Sequence, residues 1–322
     1  MDEDELIASV FAPLATAAGA DALGDDVATF PCGEGDVVVT VDALAAGVHF
    51  FPDDPPGAIA AKALRVNLSD LAAKGAEPFG YLLALALGKG WTADWARAFA
   101  AGLEADNARY GVSLLGGDTL RAAGGTTISV TAFGRVPSDG IVRRRTALPG
   151  DVLVVTGTIG DSALGLAARL AEAPPFQVAP HHAAALDAAY LWPDPPVAAW
   201  RAVRDHARAS MDVSDGLVGD LAKLCRAAGV GAWLDADAVP LSPAVLAVVA
   251  VLPEALDRAL TGGDDYQILA AIPPERVEAY LADLSAAGVS GAVVGEIEEG
   301  SGVAVHRDGR PVRLADGRFQ HF

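Results

Sequence analysis

The chain has 322 residues, of which 52% are hydrophobic, enough for one large domain or two medium ones. Its formal net charge of −19 argues against nucleic acid or an anionic membrane as a partner. No apolar run reaches the roughly 20 residues of a membrane span. Because the acidic start MDEDELIASVF also lacks the basic region of a secretory signal, we expect a cytoplasmic protein.

In the first part of the chain, strand patterns alternate with helical patterns, which is typical of α/β and α+β folds. The predicted strands are 36–42, 79–87, 112–119 and 126–136, and the predicted helices are 57–76 and 92–111. Thr92 is the predicted N-cap of the second helix, and Gly111 follows its end.

The turn-like ALPGD at 147–151 predicts a boundary between an N-terminal domain (1–147) and a C-terminal domain (148–322). Beyond it, strand and helix patterns alternate again. The predicted units are a strand, Gly loop and helix over 152–171, a strand, turn and helix over 211–229, a Gly turn and strand over 261–272, a helix over 274–288 and a strand over 289–297. The Pro-rich residues 172–182 predict a loop.

Aspartates recur beside Gly or Ser, next to apolar strands or helices. Such segments lie at 24–26, 40–42, 67–70, 116–119, 211–215 and 262–265. Each segment alone also fits a local role, as a turn, a side chain–backbone bond or a helix N-cap. Acids on helix faces, such as Glu104 and Asp106, have a different context and are expected on the surface. The shared context of the six segments indicates one converging site.

Clustered carboxylates raise one another's pKa unless cations neutralise them. Mg²⁺ prefers carboxylate oxygens and water, and it bridges to substrate phosphates. The pattern therefore predicts metal-assisted phosphoryl transfer. We expect Asp212 in a buried strand, Ser214 on the same side, and Asp215 at the following turn. We expect Asp220 on the solvated face of the next helix.

The known nucleotide-binding motifs provide weaker evidence about function than the acidic segments do. The patterns GxxxxGK[ST] and GxGxxG do not occur, so neither a P-loop nor a Rossmann dinucleotide site is supported. GTIGDSALG at 157–165 is either an anion site at a helix N-terminus or a structural strand-to-helix turn. The consecutive residues Arg143, Arg144 and Arg145 predict that at least one binds phosphate.

Cysteine and histidine usage excludes further chemistries. Cys32 and Cys225 are far apart, and neither belongs to a CxxC motif. Of the six histidines, only His181 and His182 are adjacent. This usage argues against a disulfide framework and against an ordinary zinc site.

Taken in order, the acidic segments resemble one family. GDDVATF, TVDALAAGVHF, ALRVNLSDLAAKGAEP, LLGGDTLR, MDVSDGLVGDL and GGDDYQIL look like the thiamine-monophosphate kinases, of the aminoimidazole ribonucleotide synthetase superfamily, from about residue 20 to the C-terminus. GVHF and the closing FQHF favour the kinases over their relatives. The resemblance implies a two-domain α/β (α+β) fold. Its N-terminal mixed sheet with helices forms a barrel across a homodimer, and its C-terminal domain is an α/β sandwich.

The resemblance also implies ATP-dependent phosphorylation of thiamine monophosphate to thiamine diphosphate, by direct transfer assisted by several Mg²⁺ ions. No residue is implied as a catalytic acid or base. The implied metal ligands are Asp26, Thr40, Val41 (through its carbonyl), Asp42, Asp70, Asp118, Asp212 and Asp215. The implied ATP contacts are Gly117, Asp118, Arg144 and Ser214, with Arg143 and Arg145 as the alternatives to Arg144. The implied thiamine phosphate contacts are His49, Asp264 and Phe319.

The sequence departs from the family pattern at two of these positions. The family turn GGEDYE is GGDDYQ here, so Asp264 is one methylene shorter than the usual Glu, and Val41 replaces a common Thr. The alternatives are another ATP-using enzyme of the superfamily and a non-catalytic nucleotide- and Mg²⁺-binding protein. A selenophosphate synthetase-like enzyme needs a reactive Cys in a Gly-rich loop, and Cys32 is not in one.

Overall fold

The structure is a computed structural model that describes residues 28–31, 34–171, 175–312 and 314. Strands β1 to β5 are Ala28–Pro31, Asp36–Ala45, Glu77–Leu87, Ser113–Arg121 and Thr127–Val136. They form one sheet of order β1-β2-β5-β3-β4, in which β3 and β4 are parallel and the other neighbours antiparallel. Helices α1 (Pro56–Ala73) and α2 (Ala93–Tyr110) belong to this part of the chain.

A second sheet follows in the chain. Strands β6 to β12 are Val152–Thr156, Ala209–Val213, Gly231–Asp235, Gln267–Ile272, Gly291–Glu298, Gly302–Arg307 and Arg310–Val312. Their order in the sheet is β12-β11-β8-β10-β6-β9-β7. Helices α3 to α9 are Asp161–Leu170, Pro180–Leu191, Trp200–His206, Leu217–Ala228, Pro243–Val251, Ala255–Thr261 and Val277–Ala286. Short 3₁₀ turns span Arg144–Thr146, Val197–Ala199 and Pro274–Arg276.

The predicted mixed α/β class is confirmed. The predicted boundary near residue 147 stays a prediction, with β5 ending at Val136 and β6 beginning at Val152. The loop predicted over 172–182 is wrong at its end, because α4 begins at Pro180 and includes both adjacent histidines. Proline fits there, since the first turn of a helix has no partner for its N–H groups. Among the described residues, no helix is long and apolar enough to cross a membrane.

Local signals set the ends of α2 as predicted. The Thr92 hydroxyl accepts a hydrogen bond from the N–H of Trp95 at 3.1 Å, and Gly111 ends the helix with a φ of 67°. Asp106, in contrast, was expected on the surface and is buried. Its carboxylate accepts two hydrogen bonds from Arg65 of α1, at 2.7 and 2.8 Å. The pair ties α2 to α1 away from solvent.

Helix α1 is buried on every side, since residues 58–73 are all inaccessible or nearly so. It packs against β2 and β5 of the first sheet and against β7 and β9 of the second. A helix in this position is expected to be apolar throughout, yet α1 contains Lys62, Asn67, Ser69 and Asp70. Each of these needs an internal partner, because a buried polar group without one is costly.

Strand β4 lies at the edge of the first sheet, and all nine of its residues are exposed. It pairs with β3 through a bulge, in which the register shifts between Tyr81 and Leu82. A Cβ at Gly117 would lie 1.9 Å from the carbonyl oxygen of Leu83, so only glycine allows the strands to approach this closely.

Candidate active site

Helix α1 joins two of the predicted metal ligands on β2 to a third on the helix itself. The Thr40 hydroxyl donates a hydrogen bond to the Asp70 carboxylate at 2.5 Å. The N–H of Asp42 donates to the side-chain oxygen of Asn67 at 3.0 Å. The polar segment 67–70 is therefore no break in the helix: it is a buried polar face that contacts β2.

Strand β7 brings Asp212 to the same helix. The Ser69 hydroxyl donates to the Asp212 carboxylate at 2.9 Å, and the Lys74 ammonium donates to the carbonyl of Ser210 at 2.7 Å. Asp212 is 4% exposed, as predicted for a carboxylate in a buried strand. Helix α1 thus connects Thr40, Asp70 and Asp212, although they come from three separate elements.

These carboxylates raise one another's pKa. Burial, followed by the charges of Asp212 and Asp42, raises the pKa of Asp70 well above its usual range. Burial, followed by the charge of Asp220, raises the pKa of Asp212 to about 7. The hydroxyl bonds and the Lys74 charge oppose these shifts without cancelling them. The cluster therefore lacks positive charge that a bound cation would supply.

The donor set suits Mg²⁺, because it consists of carboxylate and hydroxyl oxygens. Thr40, Asp42, Asp70 and Asp212 are the predicted ligands that α1 brings together and that could hold such an ion. In the part of the chain that the structure describes, no three acidic, histidine or cysteine side chains already surround a common metal position. A cation is therefore favoured by the excess of buried negative charge, and not by an already formed coordination sphere.

The turn after β7 is organised by Asp220. Its carboxylate accepts hydrogen bonds from the N–H groups of Ser214 at 2.9 Å and Asp215 at 2.8 Å. The Lys223 ammonium lies 3.1 Å from the other Asp220 oxygen and also binds the Asp215 carboxylate. Asp220 is fully buried, so the prediction of a solvated helix-surface residue is wrong. In the first turn of α6 its side chain folds back onto backbone donors that lack helical partners.

The GGDD turn lies against the same strand end. The N–H of Asp264 donates to the carbonyl of Ser214, and the N–H of Tyr266 donates to the carbonyl of Val213, both at 2.8 Å. A Cβ at Gly263 would lie 2.0 Å from the Ser214 carbonyl oxygen, which explains the glycine. Asp264 and Tyr266 have φ values of 71° and 51°. Left-handed conformations are uncommon for residues other than glycine, although aspartate adopts them more readily than tyrosine, and they cluster at functional sites.

Two side chains that the sequence did not single out link the predicted substrate contacts His49 and Asp264. The Lys62 ammonium lies 2.7 Å from the Asp264 carboxylate and 3.9 Å from the centre of the Tyr190 ring. The Tyr190 hydroxyl donates to the carbonyl of His49 at 3.3 Å. The His49 ring is itself oriented, because its Nδ1 accepts from the N–H of Ala45 at 3.0 Å.

Tyr266 connects the substrate side to the metal side. Its hydroxyl donates to Asp264 at 3.0 Å, and its carbonyl accepts from Ser69 at 3.2 Å. Burial, followed by the charges of Asp264 and Asp42, raises the pKa of its phenol, which therefore stays a proton donor. The predicted metal ligands and the predicted substrate contacts thus lie in one region of the protein.

Three other predicted residues, Val41, Gly117 and Asp118, lie at exposed positions of the first sheet. Val41 is 59% exposed, so its side chain points away from Thr40 and only its carbonyl remains as a possible ligand. Gly117 and Asp118 lie on the exposed strand β4, and among the described residues no hydrogen bond joins Asp118 to the buried carboxylates. Arg144 begins a 3₁₀ turn that packs against β7 and α6. Asp26 and Phe319 lie outside the described residues.

The N-terminus of α3 is already occupied by a carboxyl group of the protein itself, that of Asp265, whose pKa burial raises well above its usual range. The buried Asp265 carboxyl group accepts from the N–H of Gly160 at 2.9 Å and also from the N–H of Ser162. Of the two interpretations of residues 157–165, the structural strand-to-helix turn is therefore favoured.

Comparisons with known proteins identify the family. The AIR synthase related protein models match residues 24–136 (N-terminal domain) and 149–308 (C-terminal domain). The thiamine-monophosphate kinase of Caulobacter vibrioides is 41% identical over 292 residues, which are 89% of this chain and 81% of that protein. That of Salmonella typhimurium is 37% identical over 302 residues, or 93% and 91%. The chain belongs to the thiamine-monophosphate kinase family.

Solved structures of thiamine-monophosphate kinases share the fold. AaThiL complexed with AMPPCP and TMP has a TM-score of 0.85 at 30% identity, covering 100% of this chain and 97% of that one. The enzyme of Stenotrophomonas maltophilia has a TM-score of 0.79 at 33% identity, covering 94% and 98%. The resemblance and the two-domain α/β fold that it implied are confirmed.

Several residues of this thiamine-monophosphate kinase family member hold the predicted ligands in place but do not belong to the sequence motifs. These are Lys62, Asn67, Ser69, Tyr190, Asp220 and Tyr266. The signal for Asn67 and Ser69 was present, because polar residues in an otherwise apolar helix require buried partners. For Lys62 the partner Asp264 lies 202 residues later, so the local pattern gave no such signal. The partners of Asp220 are close in the chain, but its helix-face context does not reveal that the side chain folds back onto the N–H groups of Ser214 and Asp215.

Proposed function

We propose that this protein transfers a phosphoryl group from ATP to thiamine monophosphate, giving thiamine diphosphate and ADP. The observation that carries the proposal is the meeting of α1, β7 and the GGDD turn. There the Ser69 hydroxyl lies within hydrogen-bond distance of both the buried Asp212 carboxylate and the carbonyl of Tyr266, whose hydroxyl donates to Asp264. Asp70, the next residue of α1, is the other buried carboxylate. Support also comes from relatives named thiamine-monophosphate kinase at 30 to 41% identity, and from the AaThiL complex with AMPPCP and TMP.

In this reaction, an ionised phosphate oxygen of thiamine monophosphate bonds to the γ-phosphorus of ATP. The bond from that phosphorus to the β–γ bridging oxygen breaks, and ADP leaves. The acceptor oxygen is already ionised, so the protein needs no strong base. Mg²⁺, when bound, neutralises the charge that the phosphates bring together. The protein contributes binding and alignment of the two phosphate chains.

We assign the ligands as the family motifs place them. Mg²⁺ goes to Thr40, Asp42, Asp70 and Asp212, and further to Asp26, the Val41 carbonyl, Asp118 and Asp215. ATP goes to Gly117, Asp118, Arg144 and Ser214, and thiamine phosphate to His49, Asp264 and Phe319. The raised pKa of Asp212 supports the metal assignment, because a nearby cation would favour the ionised form of a carboxyl group in this environment. An aromatic ring such as Phe319 can stack on either ring of thiamine.

We further propose that the protein acts as a homodimer, in the cytoplasm. Support comes from the exposed edge strand β4. On it, Leu114, Leu115 and Leu120 are 48, 55 and 50% exposed, and Leu82 of the adjacent strand β3 is 39% exposed. Val41 of β2, further across the same sheet, is 59% exposed. Apolar patches and unpaired strand edges of this kind favour association. A second copy would cover both and close the sheet into a barrel.

The direct test supplies the purified protein with ATP, Mg²⁺ and thiamine monophosphate, and follows thiamine diphosphate and ADP by chromatography. We expect both products in equal amounts, and none when Mg²⁺ is chelated. Absence of product across a range of metal and salt concentrations would overturn the proposal. Binding of ATP and Mg²⁺ without turnover would support the non-catalytic alternative instead.

A further inference from the structure

Lys62 is a buried lysine on α1 that neither the motifs nor the proposed mechanism uses. Its side chain is 3% exposed, and its ammonium lies 2.7 Å from Oδ2 of Asp264. The same ammonium lies 3.9 Å from the centre of the Tyr190 ring. A lysine is buried to this extent only where its charge is paired, and here it is paired with a predicted substrate contact.

Both oxygens of Asp264 are fixed. Lys62 binds Oδ2, and the Tyr266 hydroxyl donates to Oδ1 at 3.0 Å. The Asp264 side chain is 28% exposed whereas that of Lys62 is 3% exposed, so the carboxylate faces the open side and the ammonium lies behind it. Asp264 is also shorter than the usual family Glu, so its position depends on the groups that hold it.

We propose that Lys62 is a positioning residue for thiamine monophosphate, which acts by fixing the Asp264 carboxylate. The inference rests on the proposed function. It places control of the substrate contact on α1, the helix that also holds Asp70 and, through Ser69, Asp212. One buried helix of the N-terminal half thereby aligns both the metal side and the substrate side of the site.

The test is a double-mutant cycle of the full-length protein: wild type, Lys62→Met, Asp264→Asn and the double variant, assayed with ATP, Mg²⁺ and thiamine monophosphate. Methionine keeps the length of the apolar lysine stem and removes the ammonium. We expect each single variant to raise the KM for thiamine monophosphate about tenfold or more, since a charged hydrogen bond is lost. We expect the KM for ATP to stay within about twofold. Lys89→Met, at an exposed lysine, is the matched control.

The decisive comparison is between Asp264→Asn and the double variant. If Lys62 acts through Asp264, removing Lys62 from the Asp264→Asn protein has no further effect on the KM for thiamine monophosphate. This comparison holds even if Lys62→Met alone does not fold, because the double variant leaves neither charge unpaired. A full additional effect in the double variant, or equal increases in both KM values, would overturn the inference. Absence of turnover in the wild type would overturn the proposed function itself, so the two failures are distinguishable.

Discussion

The carboxylate of Asp220 accepts a hydrogen bond from the backbone N–H of Ser214 at 2.9 Å. The adjacent N–H, that of Asp215, donates to the same oxygen at 2.8 Å. Ser214 and Asp215 are the proposed contacts for ATP and for metal. A fully buried side chain that is not itself a proposed ligand therefore sets the shape of the turn that presents two ligands.

We predict that Asp220→Ala lowers kcat/KM for ATP by about tenfold to a hundredfold, because two backbone donors lose a charged acceptor worth about 1.5 to 3 kcal/mol each. The same loss lowers the melting temperature by several degrees. Steady-state kinetics with each substrate varied in turn, together with thermal unfolding, measure both effects.

The control for this change is Glu104→Ala, which removes an exposed carboxylate from a helix face. We expect Glu104→Ala to leave both kcat/KM for ATP and the melting temperature unchanged. If Asp220→Ala had wild-type kinetics for ATP, the turn would not depend on Asp220 for its functional shape.

A second prediction concerns Asp212→Asn. Burial and the charge of Asp220 raise the pKa of Asp212 to about 7, so above that pH the folded protein contains a poorly compensated charge. Asparagine removes the charge and still accepts the hydrogen bond from Ser69. We expect turnover to fall by about 100-fold or more. At pH 8 and without metal, the melting temperature of the Asp212→Asn variant should equal or exceed that of the wild type.

Magnesium provides the second measurement for Asp212→Asn. Binding to the folded state raises the melting temperature of the wild type in proportion to the logarithm of ligand concentration. We expect a smaller rise in the variant, and likewise in Asp42→Asn. Equal rises in all three proteins, or wild-type turnover in both variants, would contradict the metal roles of these carboxylates.

The elements that short-range signals control could be predicted from the sequence. Thr92 and Gly111 bound α2 as predicted, since capping depends on neighbours within four residues. The buried strand around Asp212 was also predictable, because its flanking residues are apolar. The ordered acidic segments then identified the family, which no single segment could have done.

The errors lie where folding buries a carboxylate that its local sequence context places on a helix surface. Asp106 and Asp220 each have a helical context typical of solvated acids, yet both are buried. The partner of Asp106 is Arg65, 41 residues earlier, and the partner of Lys62 is Asp264, 202 residues later. Local periodicity carries no information about such pairs. They become visible only when the sheets and α1 are placed together.

The exposed strand β4 gives a third prediction. Leu114→Asp places a charge in the apolar edge that we propose a second copy covers, and it should convert a dimer to a monomer. Sedimentation or light scattering measures the mass. Leu246→Asp is the matched control, because Leu246 is 52% exposed on α7, away from β4. A wild-type monomer, or a dimer that tolerates Leu114→Asp, would rule out this edge as the interface.

The last prediction concerns Cys225, whose thiol is buried in the core of the second sheet. Burial raises its pKa to about 11, from an ordinary value of 9.0, against a smaller opposing effect of the Arg226 charge. Because only the thiolate reacts, iodoacetamide should label Cys225 slowly in the folded protein throughout pH 7 to about 9. In denaturant at the same pH, labelling should be fast.

The same shift has a consequence for stability. A pKa that is higher in the folded state favours folding fully below the unfolded value of 9.0, and this contribution is lost as the pH rises toward about 11. The melting temperature should therefore fall across that window. A Cys32→Ser background leaves Cys225 as the single thiol, so labelling by mass spectrometry and thermal unfolding report on one group. Equal labelling of folded and denatured protein at pH 8.5 would show that the thiol is accessible and that its pKa is ordinary.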